Sequence, residues 1–258
     1  MMIINDGLPF LVNSLITEYD IKSGNTSIMK HFKLLDPETI AYVDGLPKSQ
    51  RNVQVGLLQR NNKEFAKQLE SGFNEAVEMF IAANELDRDV DILAIRRDAV
   101  FVVNKPINVT KIGEFINFVP KNQYHAALQI GPKLEFYFGA DGQIDIKNFV
   151  QEDKDTENAL QKLKPGMISF LEEFVEIAEG CNMHRPTVYQ WVRDFCTFYK
   201  ERMLDIEYYR EFTREATFKV VTDDGFTYMD AVPEYMEEDI DISYNYQNII
   251  IPLLQILI

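Results

Sequence analysis

The sequence predicts an α+β fold: an antiparallel sheet with packed helices, followed by a helical C-terminal region. Three observations predict it. An apolar stripe at steps of three and four runs through residues 63–84. Short β-rich runs separated by turn residues fill residues 92–146. Helical spacing then returns from Asp153 to about residue 204. Strands and helices grouped in blocks point to α+β rather than to a doubly wound sheet. The reading divides the chain into an α+β region, residues 1–150, and a mainly helical, acidic region, residues 151–258, packed as one compact unit.

Residues 8–19 are apolar enough for a short buried helix or strand. They run into Tyr19-Asp-Ile-Lys-Ser-Gly-Asn25, which begins β-like and ends in small, turn-prone residues. Residues 26–35 form a helix with Ile28, Met29, Phe32 and Leu35 on one side. Asp36-Pro37-Glu38 starts the next helix, because Asp caps and Pro fits the first turn; Gly45-Leu-Pro47 ends it. Asn62 caps a long helix whose stripe is Phe65, Leu69, Phe73, Ala76, Val77 and Phe80. A hairpin with Asp98 in its turn follows. Residues 116–119, 126–130, 134–138 and 144–146 read as further strands, with Pro120, Gly131-Pro132, Gly139 and Asp141-Gly142 as turns. Beyond Asp153, Pro165-Gly166 breaks the helical pattern and Gly180 ends the second helix. Pro186 opens a third, which continues through Arg202 and Leu204. A β-prone section at 216–228, an acidic stretch at 234–241 and an apolar tail complete the chain.

With 46% hydrophobic and 12% aromatic residues in 258, the chain can bury a substantial core. Cys181 and Cys196 form no CxxC, and His31, His125 and His184 are far apart, which excludes a disulfide framework and a Cys/His zinc site. No Gly-x-Ser-x-Gly and no Cys–His spacing supports nucleophilic hydrolysis. There is no basic-then-apolar leader, and the longest apolar run, residues 249–258, is interrupted by Pro252 and Gln255. A soluble cytoplasmic protein without membrane contact is expected, in the host cytoplasm if the protein is viral. The net charge is −15, carried unevenly. Residues 134–258 hold 25 Asp and Glu against 11 Lys and Arg, whereas residues 1–133 hold 16 against 15. Within residues 48–67, Lys48, Arg51, Arg60, Lys63 and Lys67 face only Glu64, so this segment is either a phosphate-meeting surface or a solvated helix face.

Residues 91–103 place β-rich runs on both sides of Asp98, behind the long helix. Such a carboxylate is either a plain turn residue or a metal ligand on a rigid support. Asp20, after a short apolar lead, precedes Asp98 by 78 residues, with basic residues and a helix between them. In this order the chain resembles the palm of right-handed polymerases, the group of reverse transcriptases and A-family DNA polymerases, over roughly residues 15–140. There one Asp follows a strand and another sits in a hairpin turn. By this resemblance, residues 19–25 stand for the first motif and 95–99 for the second, and the sheet is palm-like. Asp20 and Asp98 would be the catalytic residues and the Mg²⁺ ligands, and Lys48, Arg51, Arg60, Lys63 and Arg97 would bind nucleic acid. The helices after Asp153 would take the place of a thumb. Two ions about 3.5–4 Å apart need carboxylates on neighbouring strands. Arg97 and Ala99 flank Asp98 where the palm pattern has a second acid or polar group.

The implied function is two-metal phosphoryl transfer by a palm-like nucleotidyltransferase or polymerase. The small size and acidic second half point to a split polymerase subunit. The charge distribution supports a second class: a non-catalytic acidic interaction protein of viral or mobile-element origin that binds a basic protein partner. The acidic half would dock that partner, and the apolar tail, residues 247–258, is either part of that docking surface or tucked into the core. Tyr208-Tyr209-Arg210 offers aromatics beside a cation, which either stack bases or pack a helix end.

Overall fold

The strands in this computed structural model are β1 (Met2–Ile4), β2 (Phe10–Leu11), β3 (Ile16–Ile21), β4 (Ile92–Arg96), β5 (Ala99–Val103), β6 (Lys111–Ile112), β7 (Ile116–Ile130), β8 (Leu134–Gly139), β9 (Ile144–Lys147), β10 (Phe218–Thr222) and β11 (Gly225–Met229). The helices are α1 (Gly24–Phe32), α2 (Pro37–Asp44), α3 (Lys48–Asn61), α4 (Lys63–Ala83), α5 (Lys154–Leu163), α6 (Ser169–Gly180), α7 (Arg185–Lys200), α8 (Ser243–Asn245) and α9 (Ile251–Leu257). The structure describes residues 2–4, 8–131, 134–147, 149 and 154–258. The expected α+β class holds, with an antiparallel sheet and a helical C-terminal region. The chain forms two compact units, one of residues up to 8 and 14–124, the other of residues 9–13 and 125–258. The division falls inside β7, between Tyr124 and His125, whereas residue 150 lies past the end of β9.

In the first unit the strands lie in the order β1-β4-β5-β3-β7, each pair antiparallel. Strand alternation sends Tyr19, Ile21, Val100, Val102, Ile116 and Phe118 to one face, where they meet Phe65, Leu69, Phe73, Val77 and Phe80 of α4. Phe80 stacks on Phe118 at 4.1 Å and meets Tyr19 at 5.7 Å. Each such buried aromatic contributes about 1.5–3 kcal/mol by leaving water. The same alternation sends Glu18 and Asp20 to the opposite face, in register with Phe101 and Ala99 of β5. The α4 stripe and its cap are as expected: Asn62 Oδ1 accepts from the Phe65 N–H at 3.0 Å. Asp36 likewise caps α2, accepting from the Thr39 N–H at 2.9 Å.

One correction concerns Pro120. The expected turn between two strands is a single 15-residue strand, β7. Glu18 pairs with Asn122 and Tyr19 with Pro120, so Lys121 is an extra residue in a β-bulge. A bulge tolerates proline because the ladder is already interrupted there. A second correction is α3, for which the sequence supplied only a basic segment. Of its residues only Val55 is buried, so it has almost no apolar stripe to read.

In the second unit β2 pairs with β7, and β8 pairs with β9. An aromatic cluster forms its centre: Phe170 stacks on Phe195 at 3.8 Å and on Trp191 at 5.5 Å. The expected break at Pro165-Gly166 is a kink between α5 and α6, with Gly166 at φ −118°, ψ −109°. A Cβ on Gly166 would lie 2.2 Å from the Glu207 carbonyl oxygen, so only glycine lets the two segments meet. The third helix stops at Lys200 rather than passing Leu204, because Arg202 turns left-handed at φ 55°. Tyr208 packs on Phe195, Tyr209 on Tyr199, and Arg210 is buried between Glu207 and Phe218, so this trio is core and not a stacking surface. Of the two readings of the apolar tail, the core is the one seen: Ile249, Ile250, Leu253 and Leu257 are buried in it. Residues 234–239 form an exposed 3-10 helix. Pro132 of the expected Gly131-Pro132 turn and Asp153 at the expected helical start lie outside the described residues. Among the described residues no helix is long and apolar enough to cross a membrane.

Candidate functional site

Asp20 sits near the end of β3, and Asp98 in the two-residue turn that joins β4 to β5. Because β3 pairs with β5, with Asp20 opposite Ala99, the turn delivers Asp98 next to Asp20. The Ile21 N–H donates to the Asp98 carbonyl at 3.2 Å and fixes the register at this end. The two carboxyls are close enough to act on each other electrostatically. Burial, and then the charge of Asp98, push the Asp20 carboxyl up to about 6, while Lys121 opposes the rise. Asp20 Oδ1 is buried and has no hydrogen-bond partner among the described residues.

Both carboxylates open into a cleft of about 680 Å³. Its wall is built from three places in the chain: the loop Lys22-Ser23-Gly24-Asn25 leading into α1, the inner side of α3 with Lys48, Arg51, Asn52 and Gln59, and the bulge at Pro120-Lys121. Gly24 leaves room for the Asp98 carboxylate, since a Cβ would meet Asp98 Oδ2 at 2.8 Å and the Phe73 ring at 3.1 Å. Ser23 and Arg97, on either side of the carboxylates, hold left-handed backbones at φ 52° and 53°. Each costs about 1–2 kcal/mol for a non-glycine residue, which the surrounding packing offsets.

Five cations, Lys22, Lys48, Arg51, Arg97 and Lys121, line the cleft against the two carboxylates. The local sign is therefore positive although the chain carries −15, and this answers the objection that net charge raises against a phosphate-bearing ligand. Lys121 Nζ lies 3.5 Å from Glu18 and 3.9 Å from Asp20. Glu18, buried on the same face, accepts from Asn122 at 2.8 Å and from the Tyr124 hydroxyl at 3.2 Å. Arg51 Nη1 is 3.6 Å from Asp44, an opposing charge that comes from outside the basic segment.

Of the expected residues, the structure brings together Asp20, Asp98, Lys48, Arg51 and Arg97, while Arg60 and Lys63 stand exposed outside the cleft. Arg97 does not compete for the Asp98 carboxylate. Its guanidinium donates to Asn25 Oδ1 at 2.9 Å and lies over the Phe73 ring at 4.4 Å. Sequence reasoning missed Lys22, Asn52, Glu18 and Lys121. Lys22 stands two residues after Asp20 and Asn52 beside Arg51, so spacing alone was available for both; Glu18 and Lys121 meet only through the sheet. Among the described residues no cluster of three His, Cys, Asp or Glu is placed to hold an ion. The donor set is nonetheless one that Mg²⁺ accepts, since that ion is commonly held by one or two carboxylates with water and substrate phosphates completing its shell. The orphaned Asp20 oxygen fits such a role.

Among solved structures the chain is similar to the family B DNA polymerase of the hyperthermophilic archaeon Pyrobaculum calidifontis, with a TM-score of 0.50 and 14% identity. The match covers 93% of this chain and 44% of that one, so the chain spans less than half of that polymerase's length. At this identity the likeness is one of fold, and it is to a polymerase, as the sequence suggested, here one of family B. No curated protein matches the chain. Over residues 2–258 the chain matches the model of the bacteriophage PBS1 gene 130 protein, and it belongs to that phage family.

Proposed function

We propose that the first unit is the palm of a nucleotidyltransferase of polymerase type, working on nucleic acid with Mg²⁺ held by Asp20 and Asp98. The observation that carries this reading is the pairing of the two carboxyls at adjacent strand ends, one oxygen of Asp20 buried and unpartnered, in a cleft whose other charges are cationic. Bound Mg²⁺ would supply charge neutralisation at a transferring phosphoryl group. The residues of the chain do the rest. Lys48 and Arg51 on α3 offer cations to a polyphosphate, Arg as a planar fork and Lys as a point charge. The α1 N-terminus adds backbone N–H donors on the same wall. Lys121 balances Asp20 and Glu18 while the carboxylates lack another cation.

The fold likeness to a DNA polymerase supports this reading. The test is Mg²⁺-dependent primer extension by the chain together with its phage co-purifying partners, with Asp20→Asn and Asp98→Asn as comparisons. Mn²⁺ binding followed by electron paramagnetic resonance is the second readout. Loss of both extension and Mn²⁺ binding in either variant is expected. Extension that survives Asp98→Asn removes the proposal.

A further inference from the structure

A second cavity, of about 550 Å³, lies in the second unit and is lined by Glu211, Glu215, Lys219, Tyr228, Ser243 and Tyr244 among others. Glu211 is its distinctive group. The residue is 6% exposed, and among the described residues no hydrogen bond or ion pair reaches its carboxylate. The loop that carries it is closed by its own backbone: the Glu211 N–H donates to Thr217 O at 2.9 Å. The cation nearest to hand is already committed, because Lys219 Nζ pairs with Asp241 at 2.8 Å and lies over the Phe226 ring at 4.8 Å. Burial raises the Glu211 carboxyl above its ordinary range, with Lys219 opposing and Asp241 adding. The carboxylate faces the cavity without a cation of its own among the described residues, and an incoming cation that also makes hydrogen bonds would pair with it there.

We propose that this cavity receives an arginine side chain from a basic polypeptide partner. Arginine fits better than a compact ammonium because its planar guanidinium can pair with the Glu211 carboxylate through two N–H groups while stacking on tyrosine. Tyr228 and Tyr244 supply the aromatic walls and Glu215 a second negative charge at the mouth. A polypeptide is favoured by what surrounds the cavity. Tyr228 belongs to β11, which pairs only with β10 among the described residues and exposes Phe226 and Tyr228 beside Val221 of β10. A strand edge with exposed apolar side chains is a surface for another chain. The charge is complementary as well, since residues 125–258 hold 25 Asp and Glu against 12 Lys and Arg. This inference is independent of the chemistry proposed for Asp20 and Asp98.

The experiment uses the full chain and a fluorescein-labelled Gly-Ser peptide carrying three arginines, read by fluorescence anisotropy at physiological salt. The same peptide with citrulline in place of arginine is the neutral comparison. Binding of the arginine peptide and no binding of the citrulline peptide are expected. Glu211→Gln should weaken binding about tenfold, and Tyr228→Ala about threefold, whereas Glu238→Gln, an exposed acid outside the cavity, should leave it unchanged. Tyr228 is 55% exposed, so its variant keeps the test decisive even if Glu211→Gln folds poorly. Equal weakening by Glu238→Gln, or undiminished binding to both cavity variants, would mean diffuse attraction to an acidic surface and would overturn the proposal. Absence of any binding to the wild-type chain would overturn it too.

Discussion

Lys121 stands 3.9 Å from Asp20 on the one residue that β7 has in excess of β3. The cation at the carboxylates is thus supplied by an irregularity of the sheet and not by its regular ladder. Because it lowers the Asp20 proton affinity, removing it has a defined direction. In Lys121→Met the Asp20 carboxyl should titrate above its wild-type value of about 6. Carboxyl-detected ¹³C resonance spectroscopy over a pH series reads the change, and an unmoved midpoint would show that Lys121 does not sense Asp20.

The raised Asp20 pKa also fixes the sign of a stability effect. The folded carboxyl titrates at about 6 against an ordinary value of 3.8, so the native state holds its proton more tightly. Its contribution to stability is fully present below the lower value and is lost as pH rises through the higher one. Asp20→Asn has no such loss. The urea midpoint of the variant should gain on that of wild type between about pH 4 and pH 7, and a constant difference would contradict the assignment. On the proposed metal reading, Mn²⁺ affinity should fall about tenfold per pH unit below about pH 6, since the ion competes with the proton.

Gly24 carries a prediction about the cleft wall. Alanine there would press on Asp98 Oδ2 at 2.8 Å and on the Phe73 ring at 3.1 Å. Gly24→Ala should cost about 1–3 kcal/mol by overpacking and displace Asp98. Thermal unfolding reads the first effect and Mn²⁺ binding the second. A variant as stable as wild type with unaltered Mn²⁺ binding would show that the wall yields freely.

Gly166 should be less forgiving, because the atoms that a Cβ would strike are backbone. The Glu207 carbonyl oxygen lies 2.2 Å and its carbon 2.7 Å from the would-be Cβ. Gly166→Ala is expected to destabilise the chain by about 3 kcal/mol or more, measured by urea unfolding. A loss under about 1 kcal/mol would mean that the α5–α6 kink shifts without resistance.

The sequence made some of this legible and concealed the rest for physical reasons. The α4 stripe and the Asp98 hairpin were readable because both are local: periodicity, a cap and a two-residue turn leave their marks within a few residues. The proximity of Asp20 to Asp98 was readable only as an order of motifs, since it depends on which strands pair. Strand β7 was misread as two because its alternation changes phase at Lys121, next to a proline that ordinarily marks a turn. Arg60 and Lys63 were over-read because residues 48–67 were taken as one patch. In the structure α3 ends at Asn61 and α4 starts at Lys63, and only the side of α3 that carries Lys48, Arg51, Asn52 and Gln59 lines the cleft. Glu211 left no mark, since a carboxylate's burial is invisible until the chain around it is placed.

The bulge has a consequence for how this cleft can vary. Residues within a regular ladder are doubly committed: changing one alters its cross-strand neighbour, and inserting or deleting one exchanges the two faces of the strand. Lys121 is the residue that the bulge adds between the pairs Glu18–Asn122 and Tyr19–Pro120, and its side chain is half exposed beside Glu18 and Asp20. Position 121 therefore sets the charge beside Asp20 from outside the regular ladder, so a change there acts on the carboxylates while the pairs Glu18–Asn122 and Tyr19–Pro120 stay as they are.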